Sequence, residues 1–132
     1  MTGKFIMAGD GQLTTLDWGQ VGWLSNPSIT GAAQLAIVEA DFLRGKGHNF
    51  HRHPEQEEVI FVVAGKIEQW IDRDHRILGP GDTAFIPPDV VHASFNVGDG
   101  TAKILAIFGP CVGEGSTVVE MAGEAPWSTM RS

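Results

Sequence analysis

The clearest chemistry in this chain lies in three histidines and a glutamate: His51, His53, Glu58 and, more than thirty residues later, His92. His51 and His53 alternate with Phe50 and Arg52, and side chains two apart in a strand share a face, so both imidazoles point the same way. Neutral imidazole nitrogens beside a carboxylate oxygen suit one divalent first-row transition metal, Fe, Mn, Ni, Zn or Cu, and affinity alone does not select among these. Four protein ligands on a metal that accepts five or six leave one or two positions open for water, oxygen or a substrate oxygen. Such an open position marks a reactive centre more than a structural one.

Each residue also has a plainer reading. A single histidine on a strand is better taken as an ordinary polar side chain. Three with a glutamate reverse that judgement, because each buried polar group without a partner costs about 1–3 kcal/mol. Glu57 competes with Glu58, and since both faces of the following VIFVVA run are apolar, periodicity does not choose between them. His48, beside the flexible Gly45 and Gly47, and His75, at a charged hairpin tip, are expected to be solvent-exposed and not to ligate. Asn96 shares the face of His92 and has two open roles, cavity lining or support of the fold. Cys111 reads as a small buried hydrophobe, with no nearby pattern that would activate a thiolate.

These residues must be positioned by short strands. With 17 glycines and 7 prolines in 132 residues and little sustained helical periodicity, the chain is expected to be all-β, about ten strands with frequent turns. In QLAIVEADFL, Ala36, Val38, Ala40 and Phe42 form the face expected to be buried. Pro54 breaks the histidine strand, Glu58 opens the next, and the turn GPGD and the corner Pro87–Pro88 lead to the strand of His92. Trp18 and Trp23 are expected on either side of a hairpin bend, and a last strand near Thr117 to Met121.

Size and composition bound the partners. The length fits one domain, residues 1–132, with 42% hydrophobic and 19% charged residues. A net charge of -7 argues against nucleic acid and anionic membranes, which need clustered Lys and Arg, and so points to a small-molecule ligand. One cysteine allows no intrachain disulfide. Together with an N-terminus that lacks the pattern of a signal peptide and the want of any transmembrane-length stretch, it suggests a cytoplasmic protein.

GKGHNFHRHPEQEEVIFVVAG resembles the first motif of the cupin superfamily, matched by Gly45, His51, His53, Glu58 and Gly65. GDTAFIPPDVVHASFN is similar to the second, matched by Gly81, Pro87, His92 and Asn96, with Asp89 where the family usually has glycine. Motif spacing favours Glu58, which leaves six residues before Gly65, whereas Glu57 would leave seven. The resemblance implies a double-stranded β-helix, a small jelly-roll barrel with a metal held by His51, His53, Glu58 and His92 near one open end, and a homodimer. It further implies a dioxygenase-like metalloenzyme acting on a small organic substrate, in which Glu58 could leave the metal and act as the catalytic base. The alternatives are a non-redox isomerase, lyase or cyclase, and a metabolite-binding cupin without turnover.

Overall fold

The computed structural model describes residues 2–131. Among them eleven strands follow in chain order: β1 (Gln12–Leu16), β2 (Gly19–Ser25), β3 (Ala36–Phe42), β4 (Gly47–Arg52), β5 (Glu57–Ala64), β6 (Ile67–Ile71), β7 (Asp74–Leu78), β8 (Thr83–Ile86), β9 (His92–Asn96), β10 (Ala102–Gly109) and β11 (Val119–Glu120). A short helix, α1 (Pro27–Thr30), and a 3-10 turn at Trp127–Thr129 complete the described elements. One sheet has the order β1-β2-β3-β10-β5-β8 and the other β11-β4-β9-β6-β7, and every pairing between named strands is antiparallel. This is the jelly-roll barrel that the resemblance implies.

The alternation in β3 works as expected: Ala36, Val38, Ala40 and Phe42 are buried while Ile37, Glu39 and Asp41 are less so. The register with β10 sets large against small on that inner face, Ala36 opposite Phe108, Val38 opposite Ala106, Ala40 opposite Ile104 and Phe42 opposite Ala102. Cross-strand pairs of this kind fill the interior without overpacking. Beside them Ile60, Val62, Ile67 and Ile86 close the core, each buried branched side chain contributing about 1.5–3 kcal/mol. The motif glycine Gly65 turns β5 into β6 at φ +83°, and a Cβ there would come within 2.8 Å of Ala102 Cα, so both conformation and space exclude a side chain.

The five-stranded sheet is covered on both faces. Phe50, Ala93 and Phe95 alternate with His51, His92 and Ser94, and this second apolar cluster packs beneath Met121, Trp127 and Met130 of the C-terminal segment. All five residues of β9 are therefore buried.

Three expectations are corrected at this level. Asp17 and Trp18 form the tip of the β1–β2 hairpin and Trp23 lies within β2, so the two tryptophans do not flank the bend. Asp is a turn former, and the apolar residues on either side of the Asp17–Trp18 tip continue as paired strands. The last strand is only Val119–Glu120, paired with Arg52 and His51; β4 ends at Arg52 on one side, and on the other Met121 N–H still donates to the Phe50 carbonyl at 2.9 Å before the chain turns away. His53 accordingly lies one residue past β4, where its carbonyl accepts the Asp89 N–H at 2.9 Å.

Candidate metal centre

Strands β4 and β9 place His51 directly opposite His92. His53 follows from the end of β4, and Glu58 enters from β5 in the facing sheet. The four side chains are between 1% and 4% exposed, and Glu57, the competing carboxylate, is exposed. One ligand nitrogen from each of His51, His53 and His92 can be chosen so that all three lie within 4.8 Å of one another. Glu58 Oε1 lies 2.8 Å from His92 Nε2 and 3.4 Å from His53 Nε2.

The backbone determines which nitrogens face the centre. His51 Nδ1 lies 2.6 Å from the Asn49 carbonyl, His53 Nδ1 2.8 Å from that of Thr117, and His92 Nδ1 2.9 Å from that of Val90. A carbonyl oxygen only accepts, so each Nδ1 carries the proton and each Nε2 is left with a lone pair, as metal-ligating histidines are usually held. His53 Nε2, His92 Nε2 and Glu58 Oε1 are all buried without a hydrogen-bond partner. The 2.8 Å approach of Glu58 to His92 thus brings a lone pair and a carboxylate oxygen together without hydrogen-bond alignment. A shared cation resolves that contact, and the residues present fit a divalent metal.

Electrostatics agree. Burial, followed by the neighbouring His48 and His92, pushes His51 well below the ordinary imidazole range, keeping it neutral and able to ligate. Burial alone would raise the Glu58 carboxyl, yet hydrogen bonds and positive charge from the facing His53 and His92 would outweigh it and bring the group down to about 2; where Nε2 carries no proton, a bound cation takes that part.

Beside these four residues a cavity of about 200 Å3 opens between the sheets. It exists because Ala40 and Ala106 stand on the inner face where larger side chains would close it. Two rows of rings border it. Trp18 stacks on His48 at 5.5 Å and His48 on His51 at 3.6 Å, while Trp23 meets Phe108 at 6.4 Å and Phe108 meets His53 at 4.8 Å. The loop after β10 forms another wall. There Gly115, φ +145°, lies against the Trp23 ring, where a Cβ would come within 2.6 Å. Gln56 fastens this loop by donating from Nε2 to the carbonyls of Pro110 and Gly115, both at 2.7 Å.

His48 is the main residue that the sequence reading misplaced. It is half-buried, lines the cavity and sits 3.5 Å from Glu120. In a regular strand residues 48 and 51 would point to opposite faces. The register, however, runs from His48 opposite Ser94 to His51 opposite His92, one extra residue on β4, and that bulge turns both rings inward. Trp18 and Ser116 were likewise unmarked, since they reach the site through a turn tip and a long loop, and so was Gln56, which sits beside the ligands but acts on the distant Pro110 and Gly115. Asn96 serves the fold: Nδ2 donates to the Phe42 and Gly100 carbonyls and Oδ1 accepts from Gly98 N–H. His75 is exposed at its hairpin, stacked on Trp70 at 4.2 Å, and Cys111 is half-buried against Ala36, Val38 and Phe108 rather than fully enclosed. Asp89 adopts φ +67°, which explains the usual glycine, and it accepts from Arg52 at 2.5 Å.

Residues 38–108, more than half of the chain, match the model of the cupin domain family, and the chain belongs to that family. His51, His53, Glu58 and His92 all fall inside this match. Protein SchB of Streptomyces halstedii is 34% identical over 92 residues, 70% of this chain and 67% of that protein. Germin-like protein 3-8 of Oryza sativa subsp. japonica is 29% identical over 101 residues, 70% of this chain and 45% of its own length. Polyketide synthase CurC of Streptomyces cyaneus is 30% identical over 92 residues, 70% of this chain and 60% of that one. The chain thus spans between about half and two thirds of these relatives. Among solved structures, KdgF from Halomonas sp. superposes with a TM-score of 0.75 at 21% identity, over 84% of this chain and 96% of that one. Oxalate decarboxylase of Lactobacillus farciminis gives 0.75 at 18%, over 86% of this chain and 34% of that one. At such identities the likeness is one of fold.

Proposed function

We propose that this cupin is a mononuclear metal enzyme that oxidises a small organic substrate with dioxygen, with His51, His53, His92 and Glu58 as the metal's ligands. The observation that carries it is the set of Nε2 lone pairs, fixed by three Nδ1–H bonds to carbonyls, that converge with the partnerless Glu58 Oε1 beside a cavity. A divalent transition metal bound there supplies open coordination positions for oxygen and for a substrate oxygen. Glu58, on leaving the metal, can take a proton from a substrate hydroxyl, while the apolar walls exclude water from the reacting atoms.

Non-redox chemistry is the second reading, favoured by one specific observation: His48 brings a further imidazole into the cavity, a base that isomerase, lyase or cyclase chemistry needs. The relative named as a polyketide synthase lends this reading some weight. Purification without added metal, elemental analysis and oxygen uptake with phenols, keto acids and thiols separate the two. Bound iron, copper, nickel or manganese with substrate-dependent uptake supports oxidation, whereas bound zinc without uptake moves the assignment to the second reading.

A homodimer belongs to the same proposal. It is supported by the outer face of the six-stranded sheet, where Phe61, Val63 and Phe85 are 37%, 40% and 52% exposed, and is tested by light scattering after size exclusion. A cytoplasmic location is proposed on the single free cysteine, Cys111; among the described residues no helix is long and apolar enough to cross a membrane.

A further inference from the structure

The cavity's walls differ in kind from its metal end. Beyond the four proposed ligands, the polar side chains that line it are His48, Ser94 and Ser116, and among the described residues no lysine or arginine does so. Ser94 Oγ donates to Gln69 Oε1 at 2.5 Å, whereas Ser116 Oγ, 2.9 Å from the protonated His53 Nδ1, is an acceptor there and keeps its own O–H for a ligand. The Ser116 hydroxyl and His48, whose Nε2 also lies 3.5 Å from Glu120, are the polar groups left to a ligand. The remaining lining is aliphatic and aromatic, with the Trp18–His48–His51 stack on one side and Trp23 with Phe108 on another.

Charge and size narrow what fits. A ligand with carboxylates or phosphates away from the metal would bury them with no lysine or arginine among the lining residues to pair them. The volume of about 200 Å3 exceeds the ~150 Å3 of an apolar cavity that accepts benzene and falls below the ~300 Å3 at which drug-sized pockets begin. One ring, or two fused rings, is the scale indicated. A lining that includes Trp18, Trp23, Phe108 and His48 offers ring faces and edges to a flat ring.

We infer that the substrate is a flat, apolar molecule of one or two rings bearing a hydroxyl on an sp2 carbon, a phenol or enol, and no further charged group. The inference rests on the proposal that this cavity serves the metal centre, and it deepens that proposal by naming the substrate class.

The test uses 2-naphthol and oxalate as probes, with tryptophan fluorescence and calorimetry on the protein as purified and again after chelation, metal content being measured in parallel. 2-Naphthol should bind both forms, and should bind the metal-containing form at least about tenfold more tightly than oxalate. Filling the cavity by Ala106→Phe should weaken 2-naphthol about tenfold at unchanged metal content. Val118→Trp, at a 45% exposed cavity residue in a loop, should act in the same direction and carries little risk to folding. Oxalate binding as tightly as 2-naphthol, or 2-naphthol affinity unmoved by both substitutions, overturns the inference. A full complement of metal with no 2-naphthol binding refutes the substrate class and leaves the metal proposal standing. Absent metal with 2-naphthol bound and blocked by the cavity variants does the reverse.

Discussion

The two ends of the cavity are built by different means. At the metal end the side chains sit on β4, β5 and β9 or one residue beyond, are almost fully buried, and fall within residues 38–108 that match the family. At the outer end the walls include Trp18 at a hairpin tip, Trp23 on β2 and the loop carrying Ser116 and Val118, all outside that match. The first is held by strand pairing and Nδ1–H bonds to carbonyls, the second by side-chain contacts across long sequence separations. The four side chains of the metal end thus lie wholly inside the family match, while the cavity walls lie partly inside and partly beyond it.

Substitutions should separate the two ends. The largest effect is expected from His53→Ala, which removes an imidazole fixed by the Thr117 carbonyl and should lower metal affinity by more than about 100-fold, read by titration against a competing chelator. Unchanged affinity would show that His53 is not a ligand. Next comes Gln56→Leu, where the two ends meet: losing the bonds to Pro110 and Gly115 frees the loop whose Thr117 carbonyl orients His53. Metal affinity should fall about tenfold while secondary structure persists, a spectroscopic change at the metal distinguishing this from general loosening. Smaller again is Trp18→Ala, expected to weaken 2-naphthol by about 1 kcal/mol and leave metal content untouched. If it strips the metal instead, the two ends are not separable.

The metal end should also make the metal-free protein sensitive to acid. His51 is held below 6.5, so the folded chain stays neutral there while the unfolded chain takes up a proton; stability is lost as pH falls from 6.5 toward the lower folded value. His48 shifts in the same direction, mainly through burial. Glu58, at about 2 in the fold and 4.5 when unfolded, adds stability above pH 4.5 that is lost as pH falls toward 2. Urea midpoints of chelated protein should be flat from pH 8 to 7 and decline by pH 5, less so in His51→Ala. A midpoint that rises on acidification contradicts the neutral, buried imidazole.

What could be read in the sequence follows the same division. The alternation of Ala36 to Phe42 and the spacing of His51, His53 and His92 express strand periodicity, a local property, and the structure places them on the inner face as expected. Choosing Glu58 over Glu57 needed the motif, because an apolar run on both faces carries no phase; in the structure Glu58 is buried and Glu57 exposed. His48 was misplaced because a bulge changes phase without leaving a signal in residue type. Trp18 and Ser116 reach the site from elements distant in sequence, and Gln56, though two residues before Glu58, acts on the distant Pro110 and Gly115; local pattern encodes none of this. Asn96 had two open roles, and its bonds to Phe42 and Gly100 select the structural one.

The central claim is that His51, His53, His92 and Glu58 together hold one metal. Elemental analysis of the wild type and of the His51→Ala, His92→Ala double variant, purified side by side without added metal, tests it most directly. The account predicts about one divalent transition metal per wild-type chain and almost none in a folded variant. Equal metal content in the two, or substoichiometric metal in both, would contradict it.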